Sequence, residues 1–146
     1  MIDKKHIGRV IADFRTSAPA SQLRFFAKAT GQTDPVYTDE AAARDAGHPG
    51  LPLPPTFLFS LELTQPPSTW RQELGIRPDR ILHGEQSFDY HRMAYAGDTL
   101  HFKTTITDIY DKKGGALEFV VRETRVANQD GEHVADLRSV LVHRNG

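Results

Sequence analysis

Two short stretches of the chain combine residue types that can move protons or hold a developing negative charge. In Leu82-His83-Gly84-Glu85-Gln86, a histidine and a carboxylate stand two residues apart. On a regular strand, residues i and i+2 share a face, so His83 and Glu85 are expected to be neighbours. A carboxylate beside an imidazole orients the ring and favours its charged form, which makes the pair the best acid/base candidate in the sequence. The second stretch is the turn-rich loop Thr30-Gly31-Gln32-Thr33-Asp34-Pro35-Val36-Tyr37. Gln32 cannot transfer a proton. Asp34 can, although an Asp ahead of Pro35 more often caps its own turn. Tyr37, with a phenol pKa near ~10, can donate a hydrogen bond but is a poor base at neutral pH. Pro55, Thr56 and Phe57 open an apolar helical run, where the amides of Thr56 and Phe57 can serve as donors to an oxyanion.

The elements that must position these residues can be read from punctuation and periodicity. Ser17 is placed as the N-cap of a first helix, with Pro19 in its first turn and Leu23, Phe26 and Ala27 at helical spacing. Gly31 sits at the position of a terminating C′ glycine. Thr38 is expected to cap a second helix, with Asp39 and Glu40 in its first turn and Gly47 after its end. Leu51-Pro52-Leu53-Pro54-Pro55 cannot be regular structure. Thr56–Leu63 is apolar nearly all round, as suits a helix enclosed by a sheet. Ser68–Leu74 is a short amphipathic piece ending at Gly75.

From Arg80 the period changes towards two. Leu82, Gln86, Phe88 and Tyr90 are assigned to one face, and Ile81, His83, Glu85 and Ser87 to the other. Turns are expected at Ala96-Gly97-Asp98, Asp111–Gly115 and Asn128–Gly131, separating strands over Thr99–Tyr110, Leu117–Val121 and His133–His143. The last strand is apolar on both faces, which predicts an interior place in the sheet. A helical half followed by antiparallel strands implies an α+β fold in one domain over residues 1–146.

Composition narrows the function classes. The formal charge is −1, from 18 basic and 19 acidic residues, which gives no support for a nucleic-acid or anionic-membrane partner. Cysteine is absent, excluding disulfides, a thiolate nucleophile and Cys-based metal sites. His6, His48, His91, His101, His133 and His143 show no metal-ligand spacing, so no metal is expected. No cofactor motif is present, and Gly114-Gly115 is hairpin chemistry rather than a phosphate cradle. No apolar run approaches the ~18 residues of a membrane span, and the polar start Met1–His6 lacks a signal-peptide core, so a cytoplasmic location is expected.

The loop from Gly31 to Tyr37 resembles the active-site loop of the MaoC-like (R)-specific enoyl-thioester hydratases and 3-hydroxyacyl dehydratases, whose pattern is Gly-Asp-x-Asn-Pro-apolar-His. Gly31, Pro35 and Val36 match. Gln32, Asp34 and Tyr37 stand where that family has Asp, Asn and His. Four further segments are similar to the FAS1-like N-terminal dehydratase type, in the family's order. They are Phe25–Gly31, Ala41–Gly47, Pro54–Phe57, and Leu82–Phe88 with Tyr90 and Ala96-Gly97-Asp98. The resemblance implies a hot-dog fold, with an antiparallel sheet wrapped around the central helix. It implies a substrate carried as a thioester on coenzyme A or an acyl-carrier protein. It also implies pairing as a homodimer, or as a heterodimer with a second hot-dog subunit. It places Asp34, Tyr37, Pro55, Thr56, Phe57 and Gln86 along the substrate, and Phe57, Phe59 and Trp70 are the bulky residues available to cap an acyl tunnel.

With the family's Asp and His missing, the leading expectation is a hydratase or dehydratase subunit that shapes the acyl tunnel while a partner chain supplies the acid and base. Three alternatives stay open: a self-sufficient hydratase using His83 and Glu85, a hot-dog thioesterase using a carboxylate such as Glu62, and a non-catalytic acyl-thioester binding module.

Overall fold

The computed structural model describes residues 1–146. After a 3-10 turn at Lys4–His6, the order is β1 (Val10–Thr16), α1 (Ala20–Ala29), a 3-10 turn at Pro35–Tyr37, α2 (Glu40–Asp45), α3 (Phe57–Leu63), α4 (Trp70–Glu73), β2 (Ile81–Tyr90), β3 (Leu100–Lys112), β4 (Leu117–Ala127) and β5 (His133–Arg144). All five strands form one sheet in the order β1-β3-β4-β5-β2, and every pairing is antiparallel. β5 is interior, as its two apolar faces demand, and β2 is an edge.

Helix ends follow local chemistry, with two changes of residue. Asp39 caps α2, accepting from the amides of Ala41 and Ala42 at 2.8 and 3.3 Å. Thr38, the expected cap, turns its hydroxyl back to the carbonyl of Pro35 instead. The Asp39 carboxylate accepts from two amides and its charge suits the helix dipole, so it wins the position. α1 starts from Pro19 rather than Ser17. Its far end closes as expected. Gly31 has φ +73°, its amide donates to the carbonyl of Lys28, and the Gln32 amide donates to Ala27. These are the two bonds of a Schellman cap, and they aim the following loop.

The inner face of the sheet carries two apolar clusters with a polar belt between them. In the larger cluster, Leu58 and Leu61 of α3 meet Leu100, Phe102, Val126, Ala135 and Leu137 of the sheet, with Leu23 of α1 behind them. The smaller cluster packs Trp70, Leu74 and Ile76 against Ile106, Ile109, Val120 and Leu141. In the belt, the hydroxyls of Thr104 and Thr124 are 2.8 Å apart, and Thr124 donates to the Glu62 carboxylate at 2.6 Å. Arg122 donates to Ser139 at 2.6 Å and lies over the Trp70 ring at 5.4 Å. Burial lowers the pKa of that guanidinium, against the opposing pull of Glu62. Glu62 therefore reaches the sheet through Thr124 while remaining partly exposed.

The register of β2 overturns the expected facing of its residues. His83 pairs with Leu141 and Glu85 with Val140, so one extra residue, Gly84, is bulged out between them. Leu141 and Val140 are consecutive on β5 and face opposite sides. Ile81, His83, Gln86, Phe88 and Tyr90 consequently share the inner face, while Leu82, Glu85, Ser87 and Asp89 face outward. Gly84 is the residue that permits this. A Cβ built there would lie 2.9 Å from Val142 Cγ2 and 3.2 Å from the carbonyl oxygen of Val140. Gly84→Ala is expected to cost about 1–2 kcal/mol, read by urea unfolding, because the crowding falls partly on backbone. A cost of zero would mean that β2 moves freely off β5.

Candidate active site

The loop, the start of α3 and the end of β2 meet at one place. The loop is held from within. Gln32 Oε1 accepts from the Asp34 amide at 3.1 Å, and Asp34 Oδ1 accepts from the Val36 amide at 3.1 Å. Asp34 is thus the cap of the 3-10 turn Pro35–Tyr37, its Asx-turn role. Arg24 of α1 ties the loop's exit to the helix, donating from Nε to the carbonyl of Thr38 at 2.9 Å.

At the entrance to α3, the Phe57 amide donates to the carbonyl of Pro54 at 2.9 Å. That bond removes Phe57 as an oxyanion donor. The amide of Thr56 donates to no backbone carbonyl and remains the available donor of this turn. The carbonyl of Pro55 accepts from the Tyr90 hydroxyl at 2.6 Å, so the last residue of β2 anchors the first turn of α3. Burial pushes the Tyr90 phenol up to about 12, and the neighbouring Tyr37 phenol adds to the rise. Tyr37, Tyr90, Pro55 and the Thr56 amide accordingly form one locus. Sequence reasoning had assigned Tyr90 only to a face. Its role rests on a contact across 35 positions, which no local pattern encodes.

Tyr90→Phe removes that bond and is expected to cost about 0.5–1.5 kcal/mol, the net worth of one hydrogen bond, because water can reach the exposed Pro55 carbonyl. The raised phenol pKa has a definite sign. Wild-type stability from this group is complete below the ordinary value of 10.0 and is lost as pH rises towards about 12. Chemical unfolding at a series of alkaline pH values should show that loss in the wild type and less of it in Tyr90→Phe.

The proposed acid/base pair does not assemble. His83 lies on the inner face, its ring edge-on to Phe59 of α3 with centroids 6.1 Å apart. Glu85 is on the outer face, paired with Arg138 at 2.7 Å. The bulge at Gly84 separates them. Gln86 shares a face with Phe88 and Tyr90 but is exposed, and its amide donates to the carbonyl of its neighbour Ser87 at 3.3 Å.

Beside this locus a cavity of about 320 Å³ opens between α1 and α3. Its walls are Phe25 and Phe26 from α1 and Phe57, Ser60 and Leu61 from α3. Phe26 and Phe57 meet edge to face at 5.1 Å. Phe25 stands 75% exposed at its edge. Of the residues expected to cap a tunnel, Phe57 lines this cavity, Phe59 faces His83, and Trp70 is buried in the second cluster beyond the polar belt. No helix is long and apolar enough to cross a membrane.

Residues 5–137 match the family described as FAS1-like, dehydratase domain region. A UPF0336 protein of Streptomyces coelicolor is 34% identical over 148 residues, covering 98% of this chain and 95% of its own. Among solved structures, the C-terminally truncated HadBC (3R-hydroxyacyl-ACP dehydratase) complex from Mycobacterium tuberculosis superposes with a TM-score of 0.79 at 26% identity, over 94% of this chain and 96% of that chain. A MaoC-like dehydratase superposes with a TM-score of 0.83 at 24% identity, over 97% of this chain and 43% of that one, a likeness of fold. The sheet order, the packing of α3 on the sheet and these matches agree: the chain belongs to the FAS1-like dehydratase domain family and has the MaoC-like hot-dog fold.

Proposed function

We propose that this chain is a subunit of an (R)-specific 2-enoyl-thioester hydratase or 3-hydroxyacyl-thioester dehydratase. In this reading it supplies an acyl-binding groove and one side of a subunit seam, and a second hot-dog chain brings the Asp/His pair. The observation that carries the proposal is the site locus itself. The loop, the Thr56 amide and the apolar cavity are in place, but no paired carboxylate and imidazole faces them. Adding water across a thioester-conjugated double bond needs a group to give and take protons as well as donors for the enolate oxygen. Here Thr56 offers a donor, while Gln32 and Tyr37 offer no base.

Two features favour a partner. β2 is an edge strand ten residues long, without Lys or Pro to blunt its free edge, and residues 82–87 are exposed along it. The solved relative at 26% identity is by its description a HadBC complex. Pairing with a like or unlike hot-dog chain across this edge would cover the strand. The thioester carrier, coenzyme A or acyl-carrier protein, is the substrate class that goes with the proposal.

The alternatives are weaker on specific grounds. A self-sufficient hydratase needs His83 and Glu85 on one face. A thioesterase nucleophile or base at Glu62 is engaged by Thr124 inside the polar belt. A binding module stays in play through the same cavity.

The test measures hydration of a short 2-enoyl-CoA by the purified chain, with acyl-CoA binding measured on the same preparation. Binding without turnover is expected. Ser60→Trp, which fills the cavity from α3, should weaken acyl-CoA binding about tenfold or more while leaving the melting temperature within a few degrees. Turnover to the (R)-3-hydroxy product by the chain alone would overturn the division of labour proposed here. Release of free coenzyme A would establish a thioesterase in its place.

A further inference from the structure

The outer face of the sheet carries a second cluster of chemically active side chains, away from α3 and the cavity. His91 follows the end of β2, and His133 and Asp136 lie on β5. His91 Nε2 and His133 Nε2 each meet one oxygen of the Asp136 carboxylate at 2.8 Å. The two imidazole rings are tilted against each other with centroids 4.3 Å apart. The three ligating atoms, one from each residue, lie within 4.8 Å of one another. We propose that His91, His133 and Asp136 form a binding site for a divalent transition-metal ion of the zinc type, with two imidazole nitrogens and one carboxylate oxygen as ligands.

The ligand types suit borderline metals such as zinc, cobalt and nickel rather than magnesium or calcium, which take oxygen almost exclusively. The spacing suits them too. Zinc bonds of ~2.0–2.1 Å to nitrogen and oxygen put tetrahedral ligands roughly 3.3 Å apart. The two imidazole nitrogens each meet a different oxygen of the carboxylate at 2.8 Å, and one ligand atom from each residue lies within 4.8 Å of the others, so rotation of these partly exposed side chains brings both nitrogens and one oxygen to that spacing. A bound ion would take the Nε2 lone pair of each neutral imidazole, whose single ring proton then resides on Nδ1. Three protein ligands leave a coordination position for water.

The surroundings hold the cluster in place. The amides of His91 and Arg92 both donate to the carbonyl of Val134, at 2.8 and 3.1 Å, which fixes His91 beside the start of β5. Asp89 pairs directly with Asp136 across the β2–β5 ladder, placing a second carboxylate on the same face. Arg125 is directly opposite Asp136 on β4. The Asp136 carboxylate nevertheless takes the two imidazoles as its partners, and its ion pairs are with His91 and His133. Arg92 is drawn off by Glu132 at 3.0 Å. An occupied site would cross-link the end of the edge strand to β5.

The test is titration of the purified full chain with Zn²⁺ by calorimetry, with Co²⁺ and its visible absorption as the spectroscopic probe. Expected are one ion per chain, a tetrahedral or five-coordinate Co²⁺ spectrum, and a melting temperature raised by Zn²⁺ and restored by chelator. His91→Ala and Asp136→Asn should each weaken binding about tenfold or more and abolish the thermal shift. His101→Ala, which disrupts a separate His–Asp contact on β1 and β3, should leave all three readouts unchanged. If Asp136→Asn fails to fold, His91→Ala on an exposed side chain decides alone. No saturable binding, or binding that survives His91→Ala, overturns the site.

Discussion

Gln32→Asp, Asp34→Asn and Tyr37→His combined in one variant are expected to give hydration of a short 2-enoyl-CoA about 10²-fold or more above the assay background, where the unmodified chain should show none. Positioned general acids and bases are each worth roughly 10²–10⁴ in rate, and this loop lacks them while keeping its frame. The frame is visible in the geometry. Gly31 closes a Schellman cap, and Pro35 begins a 3-10 turn. Residue 37 is carried to the side of Tyr90, whose hydroxyl binds the Pro55 carbonyl at the entrance of α3. An imidazole at position 37 would stand near the one free amide of that entrance. An Asn at 34 can accept from the Val36 amide as Asp34 does, so the turn survives the exchange. The same assay as for the parent chain, with product chirality, reads the outcome. A variant that folds and binds acyl-CoA but shows no gain would mean that the loop is displaced from the thioester by more than about 1 Å, a distance that can itself cost ~10²-fold. The idea of a site lacking only its proton-transfer groups would then fail.

Phe102→Ala is expected to destabilise the fold by about 3–5 kcal/mol, the range for emptying a buried phenylalanine site. Phe102 is fully buried at 0% exposure, in the inner layer of β3 under α3. Its ring stacks on Phe14 of β1 with centroids 4.9 Å apart and planes 8° from parallel. Its cross-strand neighbour Val126 is also fully buried. Collapse around the gap is restricted, because β3 is held by β1 on one side and β4 on the other. Total stabilities are often only 5–15 kcal/mol, so the variant should unfold at far lower urea or aggregate on expression. Phe25→Ala provides the contrast. That ring is 75% exposed at the edge of the cavity, and its loss should change stability by no more than about 0.5 kcal/mol while weakening acyl-CoA binding. A loss below about 1.5 kcal/mol for Phe102→Ala would mean that β1 and α3 can close over the gap.

Much of this protein was legible from local signals. The α+β division, the apolar helix that packs on the sheet, the glycine-terminated α1 and the interior β5 all follow from rules acting within a few residues, although that helix buries one side only and leaves Leu63 61% exposed. Periodicity, capping and backbone freedom have that range. The Asx role of Asp34 was readable for the same reason, since Asp ahead of Pro satisfies its own turn. The resemblance of Gly31–Tyr37 to a family loop was legible too, and so was the absence of that loop's acid and base.

Other features were decided by long-range pairing. His83 and Glu85 look like partners when the strand is taken as regular, but the bulge at Gly84 puts them on opposite faces. A glycine within a strand pattern is the signal that marks such a bulge, although where the extra residue falls is set by crowding against Val140 and Val142 on β5. Glu62 stands in sequence as a free carboxylate available to a thioesterase, but the Thr124 hydroxyl donates to it across 62 positions. Tyr90 reaches Pro55, and His91 reaches Asp136, across separations that no window along the chain spans. By itself the sequence determined the elements, their order and the family they resemble, because those depend on backbone preference and hydrophobic period. Which side chains share a site was left to the tertiary structure, because facing and proximity are properties of the sheet register, and one inserted residue inverts them.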